Sequence, residues 1–408
     1  MSQKQTIQQL PIPERTGHNA ILHSSYLEDV VAALSEWKCH RVVLVHSKAL
    51  DANSSVINDL KYKLGDVLVG TKSGVGAHSP YSDVIAITNL LHEKNADCLI
   101  SIGSSSYSDA CKVARLLHSS LSPGLTAEHI EATINQEKGL ADKLKDPKVK
   151  LIVVPTSLSA SEWNHVSSAT SPEKKKQHFA SAKAAPDLIL LDPEVAATSP
   201  RILWLSSGMR AVDHCVETIC NPKCTPEAAA HMEEALSTLL KGLQEYKEGE
   251  VDRNREELLR GIAECQLGSR QAMMGLLINK IPMGPSHAIG HQLGSVGGVM
   301  HGVTSCIMLG PVLRYTMAKL EPQTEPQNKV LQIFNNTLGW DEKSAADAVE
   351  RFVRFLELPN TLVKVGVTRQ DDLDTIAEKT MTDVWGGGEK QISTKEEVIE
   401  VLKMAKGG

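Results

Sequence analysis

Short apolar runs set the rhythm of the first half of the chain, with helical periodicity between them. Arg41–His46 (R-V-V-L-V-H) reads as a buried strand and Asp66–Gly70 (D-V-L-V-G) as a weaker one. Tyr81–Lys94 repeats at helical spacing, Cys98–Ile102 (C-L-I-S-I) is a further strand, and Ser108–His118 a further helix. Leu151–Pro155 (L-I-V-V-P) and Leu188–Asp192 (L-I-L-L-D) complete the series. Continuously apolar strands separated by helices predict a parallel sheet wrapped by helices. After Pro193 the character changes. From Ser206 onward the patterns are long and helical, as in Thr225–Tyr246 and Glu256–Met274, with almost no strand signal. The expected organisation is an α/β domain over residues 1–195 and an all-helical domain over 196–408, in keeping with a length of 408 residues.

Inside the helical half lies a stretch of another kind. Ile281–Leu313 contains no Asp, Glu, Lys or Arg, yet places histidines at His287, His291 and His301. So long an uncharged run is buried in protein or in lipid. Its three prolines, seven glycines and three histidines argue against lipid, where such groups go unsatisfied. A buried imidazole is costly without a partner, and a helix puts His287 and His291 on one face. Hydrogen-bonded core histidines are the plain alternative to a site.

Composition narrows the field. Net charge is −6, with Lys and Arg scattered, which argues against nucleic acid as partner. Met1–Leu10 is polar and no apolar run is long enough to span a bilayer, so neither a signal peptide nor a membrane segment is expected. The terminal K-M-A-K-G-G matches no prenylation box or peroxisomal tripeptide. Eight cysteines sit mostly in apolar contexts, and Cys220 and Cys224 lack the second pair that a zinc site needs. A reducing, cytoplasmic setting and a small-molecule substrate are the expectation.

Three segments are candidates for chemistry. Gly103-Ser104-Ser105-Ser106-Tyr107-Ser108-Asp109-Ala110-Cys111-Lys112 follows a strand and opens a helix, where amide groups and the helix dipole favour a pyrophosphate; an ordinary serine N-cap is the alternative. Pro155–Trp163 (P-T-S-L-S-A-S-E-W) crowds hydroxyls at a strand end, the place where open α/β sheets bind ligands. Gly208–Glu217 (G-M-R-A-V-D-H-C-V-E) sets Arg210 and His214 on one helical face, with a solvated face as the alternative. Ser73–His78 has too few glycines for a dinucleotide fingerprint. Trp385–Glu389 (W-G-G-G-E) reads as a flexible turn, without the strand before it that a phosphate cradle needs.

In this order and at these separations the segments resemble the iron-containing alcohol dehydrogenase superfamily, and within it most the maleylacetate reductase branch. Gly103–Lys112 is similar to the family motif G-G-G-S-x-x-D-x-x-K, Pro155–Glu162 to its P-T-T-x-x-x-S-E loop, and Pro186–Pro193 to its P-D-L-V-I-L-D-P linker. His287–Gly294 with Met300–Gly302 is similar to H-A-x-x-H-x-L-G followed by x-H-G. The resemblance runs from Arg41 to the C-terminal helix. It implies a dehydroquinate synthase-like architecture: an N-terminal dinucleotide-binding, Rossmann-like α/β domain, an all-α C-terminal domain, and an active site in the cleft between them. It implies hydride transfer between NADH or NADPH and a carbonyl or alcohol, and a homodimer. The cofactor would meet Ser47, Gly103, Ser104, Ser105, Ser106, Asp109, Thr156, Ser157 and Ser161. The family's metal, held by an Asp and three His, would fall on Arg210, His214, His287 and His301, with His291 as a further active-site histidine.

Two departures reshape that expectation. Arg210 stands where the ligand Asp would, and a guanidinium repels a cation. The reading that follows is a metal-independent reductase of an oxoacid or related carbonyl compound. Arg210 would polarise the substrate or pair with its carboxylate, and His291 or His287 would donate the proton. His214 and His301 would orient their neighbours. Second, Ser104 and Ser105 replace two glycines, adding bulk near the pyrophosphate, while Ser47, followed by Lys48, replaces an NAD-selecting carboxylate and admits NADPH. The alternatives are a metal-dependent alcohol dehydrogenase holding Fe or Zn through His214, His287 and His301, and a non-redox lyase, dehydratase or cyclase on the same fold.

Overall fold

The computed structural model describes residues 3–141, 143–319, 324–387 and 391–407. The chain forms two compact units, Met1–Ser199 and Pro200–Gly408.

The strands of the first unit are β1 (Gln5–Gln8), β2 (Asn19–Leu22), β3 (Val42–His46), β4 (Leu68–Ser73), β5 (Cys98–Gly103), β6 (Leu140–Ala141), β7 (Lys150–Pro155), β8 (Val166–Thr170), β9 (Lys176–Ala180) and β10 (Leu188–Leu191). Seven make one sheet in the order β1-β2-β10-β7-β5-β3-β4. Every pairing in it is parallel except β1 on β2. As the continuous apolar runs predict, the central strands are buried on both faces. Val43, Val45, Leu99, Leu151 and Val153 pack towards the helices Tyr81–Glu93 and Ser105–Ser120. Their neighbours Val42, Leu44, Ile100, Ile152 and Val154 pack towards Tyr26–Trp37 and Val56–Leu64. This is a doubly wound sheet.

Boundaries shifted where local chemistry intervened. The strand expected over Asp66–Gly70 begins at Leu68, because Gly65–Val67 forms a 3₁₀ turn. The helix expected from Ser108 starts at Ser105. Two features had little sequence signal. The polar strand β1 carries one apolar residue and sits mostly exposed at the sheet edge. The small sheet β6-β9-β8 is built from hydroxyl-rich and mixed segments, V-S-S-A-T and K-Q-H-F-A.

The second unit is helical throughout its described residues. The uncharged stretch folds as two helices, Pro285–Gly297 and His301–Lys319. They are separated at Gly298, whose φ of +65° suits a residue without Cβ. The helix Arg201–Ile219 is buried continuously from Trp204 to Ile219. It is therefore not a solvated face, and each polar side chain on it requires a partner within the fold. The turn at Trp385 opens with the Trp385 amide donating to Asp383 Oδ1 at 3.0 Å; Gly388 and Glu389 of that segment lie outside the described residues. No described helix is long and apolar enough to cross a membrane, and all eight cysteines are free thiols.

Candidate active site

In the helical unit, three helices bring the predicted residues together. Arg210 and His214 come from Arg201–Ile219, His287 and His291 from Pro285–Gly297, and His301 from the start of His301–Lys319. The imidazoles form a chain: ring centroids are 4.8 Å apart for His214–His287, 6.4 Å for His287–His291 and 5.7 Å for His291–His301. Burial is graded along it. His214 and His287 are buried, His291 is half-buried, and His301 is exposed.

Arg210 lies against this chain with 3% of its surface exposed. Its Nη1 donates to Ser305 Oγ at 3.1 Å, its Nη2 lies 3.4 Å from His291 Nε2, and its Nε is buried without a hydrogen-bond partner. Burial lowers its pKa, against the charges of Asp213, Glu217 and Asp383, which raise it. Burial, then the charge of Arg210, drives the His214 imidazole down to about 3, so it stays neutral.

Three carboxylates complete the site, and none was singled out from sequence. Asp213 is fully buried and accepts from Ser286 Oγ (2.9 Å) and Ser305 Oγ (2.5 Å); burial pushes its carboxyl up to about 6. Glu217 accepts the backbone N–H groups of Gly284 (2.8 Å), Ser286 (2.6 Å) and His287 (3.4 Å), and its Oε2 is 2.7 Å from His287 Nδ1. Gly284 must be glycine here, since a Cβ would fall 2.8 Å from Glu217 Oε1. Burial and the charge of Asp213 push the Glu217 carboxyl well up, while burial pushes His287 well down; a proton is held between Oε2 and Nδ1. Asp383 accepts from Gln292 Nε2 (2.9 Å), and its Oδ2 is 3.1 Å from His291 Nδ1. Burial raises its carboxyl, but the His291 hydrogen bond and charge together carry it below the usual range.

In the α/β unit, the predicted cofactor residues lie at the carboxyl ends of three adjacent strands. Ser47 follows β3, Gly103 ends β5 and Ser104–Ser106 follow it, and Thr156–Ser161 follow β7. Between β3 and β5 the chain order reverses across the sheet, which is where open α/β sheets bind nucleotides. Ser47 N donates to Ile102 O at 3.0 Å, Thr156 N to Gly103 O at 3.0 Å, and Ser161 Oγ to Ser105 O at 3.3 Å. Ser104 is the N-cap of Ser105–Ser120, but its side chain makes no cap bond. No Ser104 side-chain cap therefore takes the first-turn amides, and the Tyr107 amide donates to Ser104 O at 3.0 Å. Ser106 Oγ accepts from His78 N at 3.2 Å, and Ser157 is buried beside Ser159.

Asp109 and Lys112 turn inward instead. Asp109 Oδ1 is 3.0 Å from Lys112 Nζ, and Oδ2 accepts the Ser168 N–H at 3.2 Å. Fully buried Lys112 donates to Ser161 O (2.6 Å) and Asn164 O (3.1 Å), clamping the hydroxyl-rich loop to the helix Ser105–Ser120. Arg15, also fully buried, holds the same loop through Trp163 O and His165 Nδ1.

Glu162 is buried in that loop, and burial pushes its carboxyl from 4.5 up to about 7. Because the folded pKa exceeds the unfolded one, the contribution to stability is complete below about pH 4.5 and is lost as pH rises through about 7. The loss amounts to roughly 3 kcal/mol at 1.36 kcal/mol per unit. Replacing Glu162 with Gln should remove it. Urea unfolding at pH 4.5 and pH 8 checks this: wild type should lose stability relative to Glu162→Gln across the interval, and parallel behaviour would contradict the assignment.

Two domain families match the chain: "Iron-containing alcohol dehydrogenase" over residues 18–193 and "Fe-containing alcohol dehydrogenase family, C-terminal" over 204–406. The chain belongs to the iron-containing alcohol dehydrogenase family. Dehydrogenase ALT3 of Alternaria alternata is 31% identical over 90% of this chain and 99% of its own. Dehydrogenase FUM7 of Gibberella moniliformis is 30% identical over 90% and 91%. The fold is also that of maleylacetate reductase from Agrobacterium tumefaciens, with a TM-score of 0.71, 18% identity and 95% of each chain covered. As a member of this family, the protein is an NAD(P)-dependent oxidoreductase.

The family name implies iron, and the residues present do not fit it. Arg210 stands among the histidines, and its guanidinium has no lone pair to offer a divalent cation. Among the described residues, the metal-capable donors gathered within 4.8 Å of one another belong to Asp213, Glu217 and His287. Those donors are engaged in part: Asp213 Oδ2 accepts two serine hydroxyls and lies 3.9 Å from Arg210 Nη1, and Glu217 meets backbone amides and His287 Nδ1. Asp213 Oδ1 and His287 Nε2 are buried without a hydrogen-bond partner, so the misfit rests on Arg210.

Proposed function

We propose that this protein reduces a carbonyl compound with NADH or NADPH and that it does so without a metal, Arg210 supplying the positive charge. The observation that carries the reading is a buried guanidinium, braced by Ser305, set among four histidines at a position where the family resemblance expects a ligand carboxylate. Positioned donors aimed at a developing alkoxide are a large source of rate enhancement. A guanidinium can play that part with no ion present.

The first turn of Ser105–Ser120, with Ser161 and Thr156 beside it, would hold the nucleotide's phosphates; when bound, the nicotinamide supplies the hydride. The remaining work falls to the chain's own groups. Arg210 donates to the carbonyl oxygen as negative charge builds there. His291 then provides the proton that completes the alcohol. It suits the task better than His287 because it is half-buried, with Asp383 at Nδ1 to stabilise an imidazolium. His287 is fixed to Glu217 and buried. The serine at Ser47, followed by Lys48, carries no carboxylate to repel a 2′-phosphate, which favours NADPH.

Calorimetric titration with NADPH and then NADH, followed by NADPH oxidation against a panel of aldehydes, ketones and oxoacids, tests the proposal. Micromolar binding with turnover of at least one carbonyl is expected. Turnover of a substrate with no nicotinamide bound would replace this reading with a lyase or cyclase on the same fold.

A further inference from the structure

Arg210 has its counter-ion already. Asp213 lies one helical turn further along the same helix, with Oδ2 3.9 Å from Arg210 Nη1. Ser305 bridges the two: Arg210 Nη1 donates to its Oγ at 3.1 Å, and that hydroxyl donates to Asp213 Oδ2 at 2.5 Å. Ser286 Oγ holds the same oxygen from the other side at 2.9 Å. Asp213 is fully buried and Arg210 nearly so, and charges in such a setting are held as pairs. The next carboxylate, Glu217, is spent on His287 and three backbone amides. The buried group thus sets one guanidinium against Asp213, with the Glu217–His287 pair adding no positive excess. A second anion entering here would meet a neutralised guanidinium and the field of Asp213.

We infer that Asp213 is a specificity-determining residue: an internal counter-ion that fills the anion seat beside Arg210, so that the site takes an uncharged aldehyde or ketone and disfavours an oxoacid. Arg210 then acts on the carbonyl oxygen, whose partial charge it can stabilise without an ionic anchor. Asp213 itself touches no substrate. It sets the charge of the pocket and, through Ser305, the placement of the guanidinium. This rests on the carbonyl-reductase reading above, and it turns against the acidic substrate that Arg210 alone suggests.

Matched pairs of substrates test it: butanal against 4-oxobutanoate, and 2-butanone against 2-oxobutanoate, each with saturating NADPH. Wild type should favour the uncharged member at least about tenfold in kcat/KM, or about 1.4 kcal/mol. Asp213→Asn keeps an oxygen for the two serine hydroxyls but removes the charge. It should move the ratio at least about tenfold towards the acid, chiefly through KM. A wild-type preference for the oxoacids, or a folded Asp213→Asn enzyme with an unchanged ratio, would overturn the inference. Binding of butyrate and of 1-butanol to the wild-type NADPH complex, measured calorimetrically, depends neither on turnover nor on how the variant folds. Weaker binding of butyrate supports the inference, and stronger binding overturns it. Failure of every carbonyl to oxidise NADPH would instead strike the reductase reading itself.

Discussion

Arg210→Met should lower kcat about 10²–10³-fold, the range seen when a single preorganised donor to a developing oxyanion is removed. Methionine keeps much of the side chain's length and apolar stem but offers no N–H. Nucleotide affinity should hold, because Gly103–Ser106 and Thr156–Ser161 belong to the other compact unit. Arg210→Lys restores the charge without the planar fork, and with Nη1 lost from Ser305 it should recover only part of the rate. Stopped-flow single turnovers, paired with NADPH titration, separate the two effects. Methionine also leaves Asp213 without its counter-ion, so stability should fall. In the folded fraction the expected result is a loss confined to the chemical step, and equal turnover by folded variant and wild type would contradict the role.

Glu217→Gln should be the most destabilising single-atom change in the helical unit. Both carboxylate oxygens are occupied by donors, from Gly284, Ser286 and His287. An amide supplies one acceptor and one NH₂, so at least one backbone N–H meets another donor. Each buried N–H left facing a donor costs about 1–3 kcal/mol, or about 3 kcal/mol together here. In a unit of this size that is roughly a 10 °C fall in melting temperature. Glu227→Gln, an exposed position in the first turn of Pro226–Val251, is the control and should shift the melting temperature hardly at all. Equal shifts for the two variants would refute the role given to Glu217.

The sequence was legible where one physical demand dominated. Strands buried on both faces need unbroken apolar runs, so β3, β5, β7 and β10 stood out. The strands β8 and β9 mix hydroxyls, charge and single apolar residues, and nothing in V-S-S-A-T marks a strand. The histidines were legible because an uncharged stretch is a poor place for an imbalance of polar groups. Asp213 and Glu217 were in plain view beside Arg210 and His214, but a charged helix face ordinarily points to solvent. The available signal was that they share that face with Arg210 while uncharged residues fill the chain on either side, from Ile202 to Met209 and from Thr218 to Pro222. Asp383 had no signal at all: its partnership with His291 spans 92 residues and is made by folding alone.

Metal content against turnover is the measurement that bears most directly on metal-independent reduction. The purified enzyme, stripped with a chelator and assayed by mass spectrometry for iron and zinc, should reduce its best carbonyl substrate at an unchanged rate per site with far less than one metal ion per chain. Adding iron or zinc back should not raise that rate. Loss of activity on stripping, restored stoichiometrically by either ion, would mean that the histidines hold a metal despite Arg210, and that the guanidinium does not replace it.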